Sequence, residues 1–235
     1  MATTDERADW LPAPIDPVPD PWPIGGLVLR TPRLELRPED DASVRELVAM
    51  IHSAGVHPAD DMPFSVPWTE AEPQHLGRGV LQYMWSLRAK ASPESWSLQF
   101  VVRAGGEVIG TQGLSGDRFE ALREVSTGSY LGRRFQGLGH GTEMRAAVLA
   151  FAFDHLGART ARSEYNEGNT ASARVSARLG YVHDGTTLLV SRGEPVTQHR
   201  QLLAREAFAR PGWHLGVEGY TDDLAGFLAA DPPAR

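Results

Sequence analysis

With 235 residues, 41% of them hydrophobic and 23% charged, the chain is long enough to bury a sizeable core as one large domain with tails. A net charge of −7 argues against broad nucleic-acid binding, which needs a basic face, and suits a cationic partner such as an amine. The absence of cysteine excludes disulfides, thiolate metal ligands and a cysteine nucleophile. No run approaches the ~20 apolar residues of a membrane span and the start carries no signal-peptide pattern, so a cytoplasmic protein without membrane contact is expected.

Residues 1–26 carry prolines at 12, 14, 17, 19, 21 and 23, a density that blocks helix and sheet and favours extended polyproline II. They read as a tail, with Trp10 and Trp22 as candidate anchors to the body or to a second subunit. Leu27 to Arg30 and Leu34 to Arg37 alternate apolar and polar as short strands do. Asp40 and Asp41 can cap a helix through about Ser53. Residues 55–73 are broken by prolines; Phe64 and Trp68 there either wall a substrate pocket or cover the core. Gln74 to Ala89 reads as a second helix, with Leu76, Val80, Tyr83, Met84 and Leu87 along one stripe.

Ser97 to Ala104 and Glu107 to Gly113 form a hairpin signal around Gly105 and Gly106, and Glu124 to Leu131 supplies the next strand. A glycine loop, a helix to about Leu156, a strand from Arg159 to Tyr165 and a helix from Asn169 to about Leu179 follow. Thr186 to Arg192 and Val196 to Leu203 look like a closing hairpin. Past Arg210, Trp213 to Tyr220 suggests a strand and Asp222 to Ala230 a short helix, in an extension that packs on the body or meets a partner. This order predicts an α/β (α+β) domain over 27–210: one mixed sheet with helices on both faces.

The stretch that carries chemistry is Gln136 to Thr142, with glycines at 137, 139 and 141 between the strand and a helical run through Met144, Ala147, Val148 and Phe151. Glycine permits positive φ and close ligand approach, and the helix start adds unpaired N–H groups and a positive dipole end. Strand, glycine loop and helix therefore make a diphosphate cradle. Two familiar phosphate loops fail: the only lysine, Lys90, is far upstream, and the glycine spacing is not that of the dinucleotide fingerprint. The eight histidines show no H-E-x-x-H spacing, so no metal site is expected, and no serine sits in a nucleophile elbow.

What remains, Q-x-x-G-x-G at Gln136, Gly139 and Gly141, is followed by Asn169, Ser172 and Ser176 on a helix closed by Gly180 and Tyr181. This pairing resembles the GNAT superfamily of acyl-coenzyme A N-acyltransferases, over roughly residues 27–205. The run Leu29 to Arg37 is similar to the start of the ribosomal-protein alanine and serine acetyltransferases. Met62 to Trp68 and Gly141 to Ala147 are similar to actinobacterial members proposed as acyl- or succinyltransferases.

The resemblance implies a GNAT fold and acyl-coenzyme A, either acetyl-CoA or succinyl-CoA, as co-substrate. The acceptor would be a primary amine of a protein N-terminus, a lysine or a small molecule. It assigns diphosphate binding to Gln136, Gly137, Leu138, Gly139, His140, Gly141 and Thr142, and the pantetheine arm to Leu131, Arg133, Asn169 and Ser172. The Leu131 N–H would polarise the thioester oxygen, a device that contributes a few kcal/mol in comparable enzymes. Ser172 would protonate the leaving thiolate; it could equally be a helix-capping serine. Two departures stand out: Ser176 occupies the position where many relatives carry a tyrosine acid, and Ser126 one where they often carry an acidic residue.

Glu124 and Glu164 are the candidate bases, beside a pre-deprotonated amine that needs none. A succinyl donor would require a cation for its distal carboxylate, with Arg88 and Arg103 as candidates. A homodimer is compatible with the open strands and the tails. The alternative function is a catalytically silent acyl-CoA-binding sensor or interaction module.

Overall fold

The computed structural model describes residues 20–233. Trp10 and the prolines up to Pro19 lie outside that range. The strands are β1 (Val28–Arg30), β2 (Leu34–Pro38), β3 (Ser95–Ala104), β4 (Glu107–Asp117), β5 (Glu124–Leu131), β6 (Thr160–Asn166), β7 (Val182–Ser191), β8 (Glu194–Ala204) and β9 (Gly216–Glu218). The helices are α1 (Asp41–Ala54), α2 (Pro73–Lys90), α3 (Phe119–Leu122), α4 (His140–Asp154), α5 (Thr170–Leu179) and α6 (Asp222–Phe227). All nine strands join one sheet in the order β7-β8-β6-β5-β4-β3-β2-β1-β9, mixed because β5 and β6 run parallel while the remaining neighbours are antiparallel.

Helices cover both faces, each because it has an apolar stripe to bury. On one face α1 and α2 pack Val44, Leu47, Ile51, Leu76, Val80 and Met84 against Val101 and Val108. Tyr83, expected on that stripe, is 55% exposed and stands at its edge over a groove. On the other face α4 is buried from Glu143 to Phe153, apolar nearly all round, as befits a central helix clasped by the sheet and the C-terminal segment.

The polyproline reading fails at its described end. Pro23–Gly26 form a 3-10 turn, Ile24 is buried, and Trp22 sits edge-on to Phe227 with ring centroids 5.7 Å apart. The C-terminal segment packs on the body: β9 pairs with β1, and Trp96 Nε1 donates to Leu228 O at 2.9 Å. β7 begins four residues earlier than its pattern suggests, because a bulge at Asp184 and Gly185 interrupts the alternation without ending the strand. Among the described residues no helix is long and apolar enough to cross a membrane.

Candidate active site

The site begins where the sheet comes apart. β5 and β6 pair from Glu124↔Thr160 to Thr127↔Ser163 and then diverge, β5 continuing along β4 to Leu131 and β6 along β8 to Asn166. Gly132 N–H donates to Ile109 O at 2.9 Å, which makes those two a hydrogen-bonded antiparallel pair. The ladder alternates, so the N–H groups of Leu131 and Ser129 point away from β4 and into the gap. The Leu131 carbonyl is closed off by Gln136 Nε2 at 2.9 Å, which also holds Val56 O at 2.8 Å. Gln136 is thus a latch between loop and strand. Ser129 N–H, absent from the sequence-based site, becomes visible only with the register.

At the mouth of the gap lies the glycine loop. Gly137 (φ +74°) and Gly139 (φ +86°) adopt the left-handed backbone that glycine takes at least cost. The first α4 hydrogen bond recorded is Glu143 N–H to Gly139 O at 3.1 Å; among the described residues the N–H groups of residues 137–142 find no protein acceptor. Six unpaired donors beside the positive end of the helix dipole are the elements from which an anion site can be built. Gly141 is different: it has helical φ, and a Cβ there would meet only Leu131 Cδ1 at 3.7 Å and Val175 Cγ2 at 3.8 Å. Neither backbone conformation nor packing requires glycine at 141.

The loop is held by residues that sequence reasoning missed. Glu143, in the first turn of α4 and 8% exposed, accepts from Thr31 Oγ1 (2.6 Å), Arg33 N–H (3.1 Å) and Arg33 Nε (2.6 Å), and Arg33 Nη1 reaches Leu138 O at 3.0 Å. The short turn between β1 and β2 therefore clamps the loop across 110 residues of sequence. His140 is half-buried, and its Nδ1 is enclosed with no partner among the described residues. Asn166 Nδ2 and Arg145 Nε share that condition.

On the far side of the gap, Asn169 Oδ1 caps α5 by accepting from Ser172 N–H at 3.1 Å, while the Ser172 hydroxyl, partly exposed, has no partner among the described residues. Ser176 Oγ is fully buried and accepts from Arg145 Nη1 at 3.1 Å. Arg133 does not join the cradle through its amide, which donates to Gly55 O at 2.9 Å.

The proline-broken stretch spans the gap from the α1 and α2 face. It is fixed at the β5 end by Gly55 and Val56, and at the β6 end by Ser65, which donates to Asn166 Oδ1 (3.3 Å) and accepts from Gln198 Nε2 (2.9 Å). Phe64, Trp68 and Tyr130 cluster beneath it with centroids 5.2 to 6.0 Å apart. The aromatics therefore pack against the second core.

Glu124 is not brought to the gap. It sits seven residues from Leu131, about 23 Å along an extended strand, where it accepts from Arg162 Nε (2.7 Å) and Thr160 Oγ1 (3.0 Å). It lines instead a groove of about 460 Å³ between α2 and the sheet, with Tyr83, Leu87, Lys90, Asp117 and Ser126. Glu164 is exposed on β6.

Residues 33–182 match the acetyltransferase (GNAT) domain family. The fold is shared with Mycobacterium smegmatis RimJ in complex with CoA-disulfide (TM-score 0.62, 20% identity, covering 80% of this chain and 91% of that one). It is shared also with a GCN5-related N-acetyltransferase from Brucella melitensis (0.61, 21% identity, 77% and 79%) and with RimL, a ribosomal L7/L12 alpha-N-protein acetyltransferase in complex with coenzyme A (0.59, 16% identity, 75% and 97%). The parted strands, the open amides at the start of α4 and a match over most of the chain converge on one assignment: the protein belongs to the GNAT family of acyl-CoA N-acyltransferases.

Proposed function

We propose that the chain moves an acyl group from acyl-coenzyme A directly to a primary amine of a protein or small molecule. The observation that carries the proposal is that six successive N–H groups, of residues 137–142, have no acceptor among the described residues, in the loop that follows β5 where it has parted from β6. In this reading those amides hold the diphosphate, and Leu131 and Ser129 N–H pair with the pantetheine arm in place of the departed strand, one of them donating to the thioester oxygen as negative charge develops there. Preorganised donors in a water-poor gap contribute on the order of 3 kcal/mol to such a barrier. Ser172 turns its unpartnered hydroxyl to the leaving thiolate. The amine enters over the groove beside α2, where the carboxylates of Asp117 and Glu124 draw a cationic acceptor toward the sheet. Glu124 stays paired with Arg162; the ammonium gives its proton to water, the neutral amine attacks the thioester carbonyl, and the C–S bond breaks as the thiolate takes up the proton released from the new amide nitrogen.

Thiol release measured with acetyl-CoA and succinyl-CoA against a panel of peptide N-termini, lysine peptides and polyamines tests this. Turnover with one acceptor class is the expected result; tight coenzyme binding with no turnover on any amine would favour a silent acyl-CoA-binding module. The proposal includes a cytoplasmic homodimer built on edge strand β7, where Leu188 and Val190 are 75% and 72% exposed, testable by sedimentation.

A further inference from the structure

Arg145 is the one feature of the site that coenzyme binding at the loop leaves unexplained. It lies in the second turn of α4, is 4% exposed, and reaches Ser163 Oγ (3.3 Å) and Ser176 Oγ (3.1 Å) through Nη1 and Ser129 Oγ (3.3 Å) through Nη2; its Nε has no partner. None of the sixteen ion pairs among the described residues includes it. A buried charge without a counter-charge is strongly destabilising, and three neutral hydroxyls at the long end of the hydrogen-bond range are weak compensation.

Its place explains what the charge is for. Thr127↔Ser163 is the last pair before β5 and β6 part, and Ser129 is two residues past it, so the guanidinium stands at the closed apex of the gap. The glycine loop stands at the open mouth. A thioester anchored by its diphosphate at the mouth and laid along the gap therefore directs its acyl end toward Arg145. The planar fork suits bidentate capture of a carboxylate, and the three serine hydroxyls can rotate to admit one. The two arginines singled out from sequence are unavailable: Arg88 is paired with Glu39 and Asp41, and Arg103 with Glu46.

Resting as it does on acyl-coenzyme A binding in the gap, we infer that Arg145 selects the donor, its guanidinium receiving the terminal carboxylate of a dicarboxylic acyl group of about succinyl length. Calorimetric titration of the full chain with coenzyme A, succinyl-CoA and butyryl-CoA tests this, because the two acyl groups match in length and differ in the carboxylate. The wild type should bind succinyl-CoA about tenfold or more tightly than butyryl-CoA. Arg145→Met should bring the two within about threefold while leaving coenzyme A affinity unchanged, and should melt at a higher temperature than the wild type without ligand, since it removes the buried charge.

Equal binding of the two thioesters by the wild type overturns the inference whether or not the variant folds. So does a variant that keeps the preference, or one that melts lower, which would mark Arg145 as structural. Failure to bind any coenzyme A derivative would instead overturn the coenzyme reading beneath it, and the inference with it.

Discussion

Two helix starts in the same molecule show how differently this chain treats unpaired amides. At α1 it closes them: Asp40 Oδ1 accepts from Ser43 N–H at 2.6 Å, and Ser43 Oγ accepts from Asp40 N–H at 2.9 Å, a reciprocal capping box. At α4 the N-cap is Gly139, which has no side chain to offer, and the donors stay open. Against glycine a side-chain cap is worth only about a few tenths of a kcal/mol, and the left-handed backbone at Gly139 favours glycine, so α4 gives up little by leaving its donors uncapped. The difference is one of availability: the donors at the start of α1 are consumed by side chains, while among the described residues those at the start of α4 have no acceptor.

The comparison can be broken most forcefully at Gly141. Gly141→Ala adds a methyl that meets only ordinary van der Waals contacts with Leu131 and Val175, and should weaken coenzyme A binding by about 100-fold, roughly 2.7 kcal/mol, with little change in melting temperature. A variant that melts normally and binds coenzyme A as the wild type does would end the cradle assignment. Next in size, Arg33→Met leaves the buried Glu143 with only Thr31 and one backbone N–H. It should cost about 2 kcal/mol in chemical denaturation and loosen coenzyme A binding by about tenfold, because the Leu138 carbonyl is freed as well. Asp40→Ala should cost ~1 kcal/mol of stability and leave coenzyme binding untouched, the mirror image of the glycine variant.

The smallest effect is a pH dependence of the same cap. The backbone N–H of Ser43 holds the Asp40 carboxyl below its usual range. A folded pKa below the unfolded one means the contribution is present above the unfolded value and lost as pH falls through the folded one. Acid unfolding of wild type and Asp40→Asn should therefore differ above the ordinary aspartate pKa and converge at lower pH. Curves that stay parallel throughout would remove the charge from the cap.

Much of this was legible in the chain itself. Alternation marked β2 to β5, helical spacing marked α1, α2, α4 and α5, and the spacing of Gly137, Gly139 and Gly141 located the turn that leads into α4, because each is a property of neighbours along the backbone. The misreadings came where a local break concealed a longer-range arrangement: the prolines before Gly26 formed a turn over Ile24, and the Gly185 bulge disguised the first half of β7. Glu124 looked available because sequence shows a carboxylate on the right strand but hides the Arg162 that holds it.

What the sequence determined by itself was the inventory and the local geometry: which backbone can turn left-handed, which helix lacks a side-chain cap, which residues are apolar on one face. Only the tertiary structure decided where β5 leaves β6, which amides that parting turns into the gap, how Arg33 meets Glu143, and that Arg145 is buried with hydroxyls for company. Those four depend on contacts between segments distant along the chain, and whether a donor or a charge is compensated is settled by what the fold brings against it.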